Sequence, residues 1–246
     1  MNVSKLILST LRNGDFAHPG EIEAIQLAMN CVPKNPQQLL LDVGCGLGGT
    51  ADYLQQNGWG KVTGIDIDSD VLNYAKQHHP QVQFFLCDVV EANKLFHDKK
   101  FNIIYCFSSF FCFSAQQASL TALSQIAAAN CQLIIFDYSV LGNQDLKNPF
   151  SWPKSSANFH PIDLSKNKEL LQQSGWKWKN SVDITEQFKT WYENLIEKFD
   201  EKRNTIIQKF DEGVFTSMYN GYTALLSDIA KKKVGGTIVY ADYNKN

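Results

Sequence analysis

The chain has 246 residues, of which 20% are charged, and its formal net charge is -2 at pH 7. This length is enough for one domain with a complete core, and the weak charge excludes the large basic surface of a nucleic-acid-binding protein. No run of about 18 consecutive apolar residues marks a membrane helix, and the apolar segment at the start is too short for a signal peptide. We therefore expect a cytoplasmic protein with neither nucleic-acid nor membrane partners.

Short apolar segments alternate along the chain with amphipathic segments, a pattern typical of a parallel sheet with crossover helices. A helical region is predicted first, over 20–32. Strands are predicted over 39–43, 61–66, 82–88, 101–107, 131–138, 176–185 and 235–243. Between them, helices are predicted over 50–57, 69–78 and 116–129. Asp68 or Ser69 is suited to cap the second of these helices.

We expect a single domain over 1–246, with N-terminal helices in 1–35, a cofactor-binding core in 36–140 and substrate-side elements in 141–246. Apolar residues at helical spacing predict about fifty helical residues between the last two strands. Packing in the core is the simplest role for these apolar residues. A helical insertion near the carboxyl ends of the strands would also make a natural lid, because ligands of open α/β sheets bind there.

The segment 39–49, LLLDVGCGLGG, places a glycine-rich turn directly after the first strand. Its glycines fit both the dinucleotide pattern G-x-G-x-x-G and the tighter G-x-G-x-G, and either lets the backbone pass close to a ligand. A dinucleotide brings a pyrophosphate to the helix N-terminus. S-adenosylmethionine instead carries a sulfonium and an amino group, so the carboxylate of Asp42 at the strand end favours this cofactor.

Two further carboxylates follow the next two strands. Asp66 is placed to accept hydrogen bonds from both ribose hydroxyls, a feature that suits NAD equally well. Asp88 is placed to accept from the exocyclic amine of adenine, and Ile67 and Val89 offer apolar contact to the ring. Acidic residues at three successive strand ends, together with the glycines, favour S-adenosylmethionine.

Residues 36–140 resemble the class I S-adenosylmethionine-dependent methyltransferases in LDVGCGLGG, GIDID, LCDVV and FNIIYCFSSFF. The resemblance implies a Rossmann-like α/β fold with a seven-stranded sheet, mostly parallel with the last strand antiparallel, and a helical insertion between strands six and seven. It also implies S-adenosylmethionine as cofactor and S-adenosylhomocysteine as product. The cofactor-binding residues expected on this basis are Asp42, Gly44, Cys45, Gly46, Gly48, Asp66, Ile67, Asp88, Val89, Cys106 and Phe107.

Within that superfamily, the GLGG loop, the IIFDYS strand end and the Trp-rich C-terminal helices are most similar to the small-amine N-methyltransferases, such as the phosphoethanolamine and the sarcosine and dimethylglycine enzymes. In the phosphoethanolamine enzymes a histidine after strand four works in catalysis, whereas the matching residue here is Cys112. That difference puts their acid–base arrangement in doubt for this chain and leaves the catalytic residues unassigned. Tyr138 matches a phosphate contact of those enzymes.

The acceptor is expected to be a small molecule. The segment after strand four, CFSSFFCF, lacks the Asn/Asp-Pro-Pro-aromatic sequence of methyltransferases that act on DNA bases or glutamine. Aromatic faces can hold an amine or methylammonium by cation–π attraction. We expect Phe111, Cys112, Tyr138 and Trp191 to be substrate residues, although core packing is the simpler role for each aromatic residue.

Cysteine and histidine spacing predicts no metal site. The six cysteines are dispersed without C-x-x-C spacing, as expected of reduced, mostly structural thiols. His78 and His79 are interpreted as surface loop residues without nearby ligands.

Three functions remain open at this point. The favoured one is methyl transfer to a small molecule, with nitrogen as the acceptor atom. A catalytically silent module that binds S-adenosylmethionine is the alternative suggested by the missing histidine, and an NAD-dependent oxidoreductase is the third. The oligomeric state is left open.

Overall fold

A computed structural model describes residues 3–141 and 159–243. The strands are β1 Leu39–Val43, β2 Lys61–Asp66, β3 Gln83–Leu86, β4 Phe101–Phe107, β5 Ala127–Val140, β6 Lys177–Asp183 and β7 Val234–Asp242. The helices are α1 Val3–Arg12, α2 Glu21–Ala28, α3 Gly49–Gln56, α4 Ser69–His78, α5 Ala92–Leu95, α6 Gln116–Gln125, α7 Leu164–Gln173, α8 Thr185–Glu201, α9 Arg203–Lys209 and α10 Glu212–Ala230. Short 3-10 turns span Val89–Glu91 and Phe110–Cys112.

The seven strands form one sheet in the order β3-β2-β1-β4-β5-β7-β6. Strands β1 to β5 pair in parallel, and β7 runs antiparallel between β5 and β6. This arrangement confirms the predicted sheet and the reversed last strand. The chain changes direction across the sheet between β1 and β4, and ligands of such folds bind outside the carboxyl ends of the strands at this switch point.

Both faces of the central strands are covered. Leu40 packs in a core shared with α1, α2, α3, α8 and α10, whereas the next residue, Leu41, packs in a second core with α5, α6 and α7. Side chains alternate across a strand, so burial on both faces requires a continuous apolar run. For this reason β1 and β4 can be recognised in the sequence from the apolar segments LLLDV and FNIIYCF.

Several predicted bounds differ from the structure. The predicted helix over 116–129 ends at Gln125, because β5 begins at Ala127 and pairs there with Phe101. Ala127 and the two alanines after it favour helices, and that local preference is overridden by strand pairing. The helix predicted over 20–32 is the shorter α2, and α1 precedes it. Helix α4 matches its prediction, and Asp68 caps it by accepting from the backbone N–H groups of Asp70 and Val71.

Helices α8 to α10 form the predicted insertion between β6 and β7. Helix α8 packs closely on β7, since a Cβ on Gly236 would lie 2.4 Å from the Phe188 ring. It also holds the N-terminal helices through a hydrogen bond of 2.8 Å from Lys202 Nζ to the carbonyl oxygen of Thr10. Among the described residues, no helix is long and apolar enough to cross a membrane.

The lid role of this insertion stays a prediction. We expect cofactor and acceptor together to slow amide hydrogen exchange in 186–231 more than in β5, because closure over a ligand suppresses local opening. Exchange measured by mass spectrometry on the free and the doubly bound protein tests this. Equal protection in the two states would make the insertion a static part of the core.

Candidate cofactor and acceptor site

The glycine-rich turn after β1 is held in an unusual backbone conformation. The N–H groups of Gly44 and Cys45 both donate to the carbonyl oxygen of Ile65, at 2.8 and 3.0 Å. Gly46 has a φ of +54°, and a Cβ there would meet only Lys5 Nζ, at 3.6 Å. The Gly46 backbone therefore faces open space in a conformation that side chains rarely adopt.

Asp66 connects this turn to the end of β2. Its Oδ2 accepts from the Gly46 N–H at 2.9 Å, and its Oδ1 accepts from the Asp68 N–H at 3.0 Å. Lys5 Nζ on α1 lies 3.7 Å from the same Oδ2. The side chain is 8% exposed, so the carboxylate is held in a fixed orientation at the base of a cavity.

The cavity has a volume of about 550 Å³ and opens at the carboxyl ends of the parallel strands. Its volume lies in the range of roughly 300–1,000 Å³ that is usual for small-molecule sites. The predicted site residues that line it are Gly44, Gly46, Asp66, Ile67, Asp88, Val89, Phe107, Phe111 and Cys112. Residues in its lining that were not predicted as site residues include Lys5, Ala17, Asp68, Ser108 and Ser109.

Ile67 and Asp88 form the exposed end of the cavity. The Ile67 side chain is 72% exposed where it lines the cavity. The Asp88 carboxylate accepts from the Val90 N–H at 3.2 Å and so caps the following 3-10 turn. An apolar side chain beside an oriented carboxylate is a suitable contact for a flat heterocycle with an exocyclic amine.

Other predicted site residues lie outside the cavity lining: Asp42, Cys45, Gly48, Cys106, Tyr138 and Trp191. Asp42 lies beneath the glycine turn and is 2% exposed. Its Oδ2 is buried without a hydrogen-bond partner among the described residues. Burial, together with repulsion from Asp66, raises the pKa of Asp42 to about 8, and the Tyr105 hydroxyl opposes this shift. Asp42 thus lies outside the cavity lining, and its role in cofactor binding stays a prediction.

Asp137 supports the part of the cavity wall that contains Phe111, a role that the sequence did not reveal. Its Oδ2 accepts from the Phe111 N–H at 3.1 Å, and its Oδ1 accepts from the Tyr138 N–H at 2.7 Å. Burial raises the pKa of Asp137 to about 7 despite these backbone hydrogen bonds. The side chain is fully buried, so it fixes the position of Phe111 through the backbone.

Tyr138 packs against Phe111 but does not itself line the cavity. The two rings pack edge to face with their centroids 5.1 Å apart. The Tyr138 hydroxyl is hydrogen-bonded to that of Tyr192, away from the cavity. Cys112 is exposed on the cavity wall, where the surrounding protein and Asp137 raise the pKa of its thiol. This shift disfavours the thiolate, which is the nucleophilic form of a cysteine.

Trp191 holds α8 against α2. Its indole N–H donates to the Glu23 carboxylate at 2.9 Å, and its ring covers Gly20, where a Cβ would lie 2.6 Å from the ring. The side chain is buried. Trp191 is not among the described residues that line the cavity, so its role in acceptor binding stays a prediction.

His79 follows α4, but it is less exposed than a surface loop residue, because two carboxylates from other segments contact it. Its Nε2 lies 3.0 Å from Asp15 Oδ2, and its Nδ1 lies 3.1 Å from Asp52 Oδ2. Ser9 and Tyr74 donate to the other oxygen of Asp15. This cluster attaches the segment after α1 to the helices that flank the glycine turn. Within the described ranges, no group of three or more His, Cys, Asp or Glu side chains is suited to hold a metal ion.

Both charges of this cluster are stabilised in the folded protein. Burial opposes the charge on His79, but hydrogen bonds to Asp15 and Asp52 raise its pKa above 6.5. Burial likewise opposes the charge on Asp15, but hydrogen bonds from His79, Ser9 and Tyr74 lower its pKa below 3.8. The His79 contribution is complete below pH 6.5 and is lost as pH rises through its folded pKa. The Asp15 contribution is complete above pH 3.8 and is lost as pH falls through its folded pKa.

We therefore expect His79→Gln to lower the free energy of unfolding most between pH 3.8 and 6.5. The loss of charge-assisted hydrogen bonds costs about 1–3 kcal/mol in this window, and the difference from wild type shrinks at higher pH. Urea unfolding at about pH 5.5 and pH 9 measures it. His97→Gln is the control, because His97 is largely exposed. A pH-independent difference for His79→Gln would contradict the charged cluster.

Comparison with known proteins identifies the family. Residues 40–130 match the model of a methyltransferase domain. The "Putative methyltransferase 235L" of Invertebrate iridescent virus 6 is 31% identical over 195 residues, which cover 71% of this chain and 69% of the viral protein. The chain belongs to the class I S-adenosylmethionine-dependent methyltransferases. This membership agrees with the carboxylates at the ends of β2 and β3 and disfavours the dinucleotide alternative.

Other relatives of this methyltransferase are phosphoethanolamine enzymes. The phosphoethanolamine N-methyltransferase of Triticum aestivum is 22% identical over 216 residues, covering 86% of this chain but 42% of the wheat protein. The chain thus spans less than half the length of that relative. Phosphoethanolamine N-methyltransferase 2 of Haemonchus contortus, solved with phosphomonomethylethanolamine and S-adenosylhomocysteine, superimposes with a TM-score of 0.85 at 18% identity, covering 98% of this chain and 57% of that chain. At 18% identity, this similarity shows only that the two proteins share a fold.

Proposed function

We propose that this methyltransferase transfers the methyl group of S-adenosylmethionine to the amine nitrogen of a small molecule. The observation that carries the proposal is the cavity that joins the glycine turn to Asp66 and Asp88. In the proposed arrangement, Asp66 accepts from the ribose hydroxyls and the adenine lies between Ile67 and Val89. Asp88 then accepts from the adenine amine.

The methionyl end of the cofactor extends from the ribose toward Gly44 and Gly46. This arrangement directs the methyl group toward Phe107 and Phe111. Methyl transfer is an in-line displacement: the lone pair of the neutral amine forms the new N–C bond while the S–C bond breaks and its electrons stay on sulfur. The positive charge passes from sulfur to the methylated nitrogen, which releases a proton to solvent if it carries one. The protein contributes alignment and exclusion of water, and no covalent residue is needed.

A small amine is the acceptor class that the cavity suits best. Phe111 presents an aromatic face at the acceptor side, and its position is fixed by Asp137. Aromatic faces attract ammonium groups. The wheat and Haemonchus relatives are named for the methylation of phosphoethanolamine, an acceptor of this class.

A silent S-adenosylmethionine-binding module is the second candidate, and Cys112 is the observation that favours it. Cys112, the residue that the sequence resemblance matched to a histidine, lies on the cavity wall, and the surrounding protein raises the pKa of its thiol. Such a module would bind cofactor and produce no S-adenosylhomocysteine with any acceptor.

The experiment that separates these candidates is an acceptor screen that reads S-adenosylhomocysteine formation. The protein is incubated with S-adenosylmethionine and a panel of small amines, with hydroxyl and carboxyl compounds as comparison groups. The proposal predicts turnover in the amine group that requires intact Asp66. Cofactor binding without turnover across the panel would support the silent module instead.

Tyr138→Phe tests the predicted acceptor role of that hydroxyl. If the hydroxyl serves the acceptor, kcat/KM falls roughly tenfold while cofactor affinity is unchanged, because one positioning hydrogen bond of about 1–1.5 kcal/mol is lost. Tyr192→Phe is the matched control, since it removes the partner hydroxyl from the same hydrogen bond. Full activity of Tyr138→Phe, or equal losses in both variants, would remove Tyr138 from direct acceptor binding.

A further inference from the structure

The charges around the cavity are unbalanced. Its lining contains the carboxylates of Asp66, Asp68 and Asp88, and Lys5 carries the only positive charge among the described residues that line it. S-adenosylmethionine has a sulfonium and an ammonium group, which suit an acidic wall, but it also has a carboxylate. That carboxylate requires a donor, and an acidic wall without a cation would repel it.

Lys5 is positioned where the two halves of the cofactor would meet. Its Nζ lies 3.7 Å from Asp66 Oδ2 and 3.6 Å from the position of a Cβ on Gly46. In the arrangement proposed above, Asp66 contacts the ribose and Gly46 lies under the methionyl group. The ammonium of Lys5 therefore lies within a short side-chain movement of the methionyl carboxylate.

Helix α1 presents Lys5 from a fixed base. Ile7 and Leu11 of this helix are fully buried in the core that includes α8 and α10. The same helix is attached at its end by Lys202 and through Ser9 to Asp15. The Lys5 side chain is 26% exposed, so its ammonium can change partners without a large desolvation cost.

We propose that Lys5 is a cofactor-specificity residue that binds the methionyl carboxylate of S-adenosylmethionine. In the free protein it neutralises Asp66. When the cofactor binds, Lys5 moves from Asp66 to the carboxylate, and Asp66 becomes available to the ribose hydroxyls. This inference rests on the proposed function and extends it to a residue on α1.

Two ligands that differ only in the carboxylate test this role. S-adenosylmethionine and its decarboxylated form share the adenosine, the sulfonium and the amine. We expect Lys5→Met to raise the Kd of S-adenosylmethionine about tenfold, the loss of one charge-assisted contact, and to change the Kd of the decarboxylated ligand less than about threefold. Lys5→Arg should retain most of the discrimination, because it keeps the charge.

The control is Lys202→Met, which removes a cation that holds α1 but lies outside the cavity lining. Any loosening of α1 in this variant should affect both ligands equally. Equal weakening of both ligands in Lys5→Met would overturn the proposal. Tighter binding of S-adenosylmethionine in this variant would also overturn it, because Lys5 would then only compete with the cofactor for Asp66. If neither ligand binds the wild-type protein, the proposed function fails first, and that outcome is distinct from both.

Discussion

Replacing Asp66 with alanine is expected to weaken S-adenosylmethionine binding by about 1.5–3 kcal/mol, or roughly ten- to a hundredfold in Kd. Two contacts are lost together. In the proposed arrangement the ribose hydroxyls lose their charged acceptor, and the Gly46 N–H loses the oxygen that it reaches at 2.9 Å. Isothermal titration calorimetry on the folded variant measures the change.

The matched control for this variant is Asp98→Ala. Its side chain is 88% exposed and lies outside the cavity, so its removal changes the net charge by the same amount without touching the site. We expect its Kd to equal that of wild type. An unchanged Kd in folded Asp66→Ala would refute the assignment of this carboxylate to the ribose.

Gly46→Val is expected to have a still larger effect. The valine methyl groups would project into the cavity, since a Cβ at this position meets only Lys5 Nζ. They would occupy the space assigned to the methionyl group. The φ of +54° is also strongly unfavourable for a β-branched residue. We expect cofactor binding to fall by more than about a hundredfold, which is a loss of at least about 3 kcal/mol.

Gly58→Val separates the steric effect in the cavity from the backbone cost of a side chain at positive φ. Gly58 also has a positive φ, of +82°, but a Cβ there meets nothing within 4 Å. This variant bears a comparable backbone cost outside the cavity, so we expect reduced stability with cofactor affinity retained. If Gly46→Val binds the cofactor as tightly as Gly58→Val does, the turn at Gly46 is only a structural turn.

The sheet could be predicted from sequence because its central strands are buried on both faces. Continuous apolar runs such as FNIIYCF can be recognised without any knowledge of their neighbours. Asp66 and Asp88 could be predicted because Asp66 ends β2 and Asp88 lies two residues after β3, and the ends of parallel strands meet at one edge of the sheet. Helix α4 was predicted with its bounds because Asp68 provides a local cap.

Other parts of the site depend on contacts between distant segments. Lys5 reaches Asp66 from a helix near the start of the chain, and no local pattern connects the two. His79 pairs with Asp15, 64 residues earlier, for the same reason. The direction in which a strand side chain points its polar group is equally hard to predict from sequence. Tyr138 ends a recognisable strand, yet the direction of its hydroxyl depends on Tyr192 in a helix inserted much later.

Calorimetric titration of the purified protein with S-adenosylhomocysteine and, separately, with NAD tests the central claim most directly. The adenosine half of each ligand could use Asp66, but only the first has an amino-acid group to fill the space above Gly46. The account predicts saturable binding of S-adenosylhomocysteine that is weakened in Asp66→Ala and abolished in Gly46→Val, with no measurable binding of NAD. Saturable NAD binding without S-adenosylhomocysteine binding would contradict it.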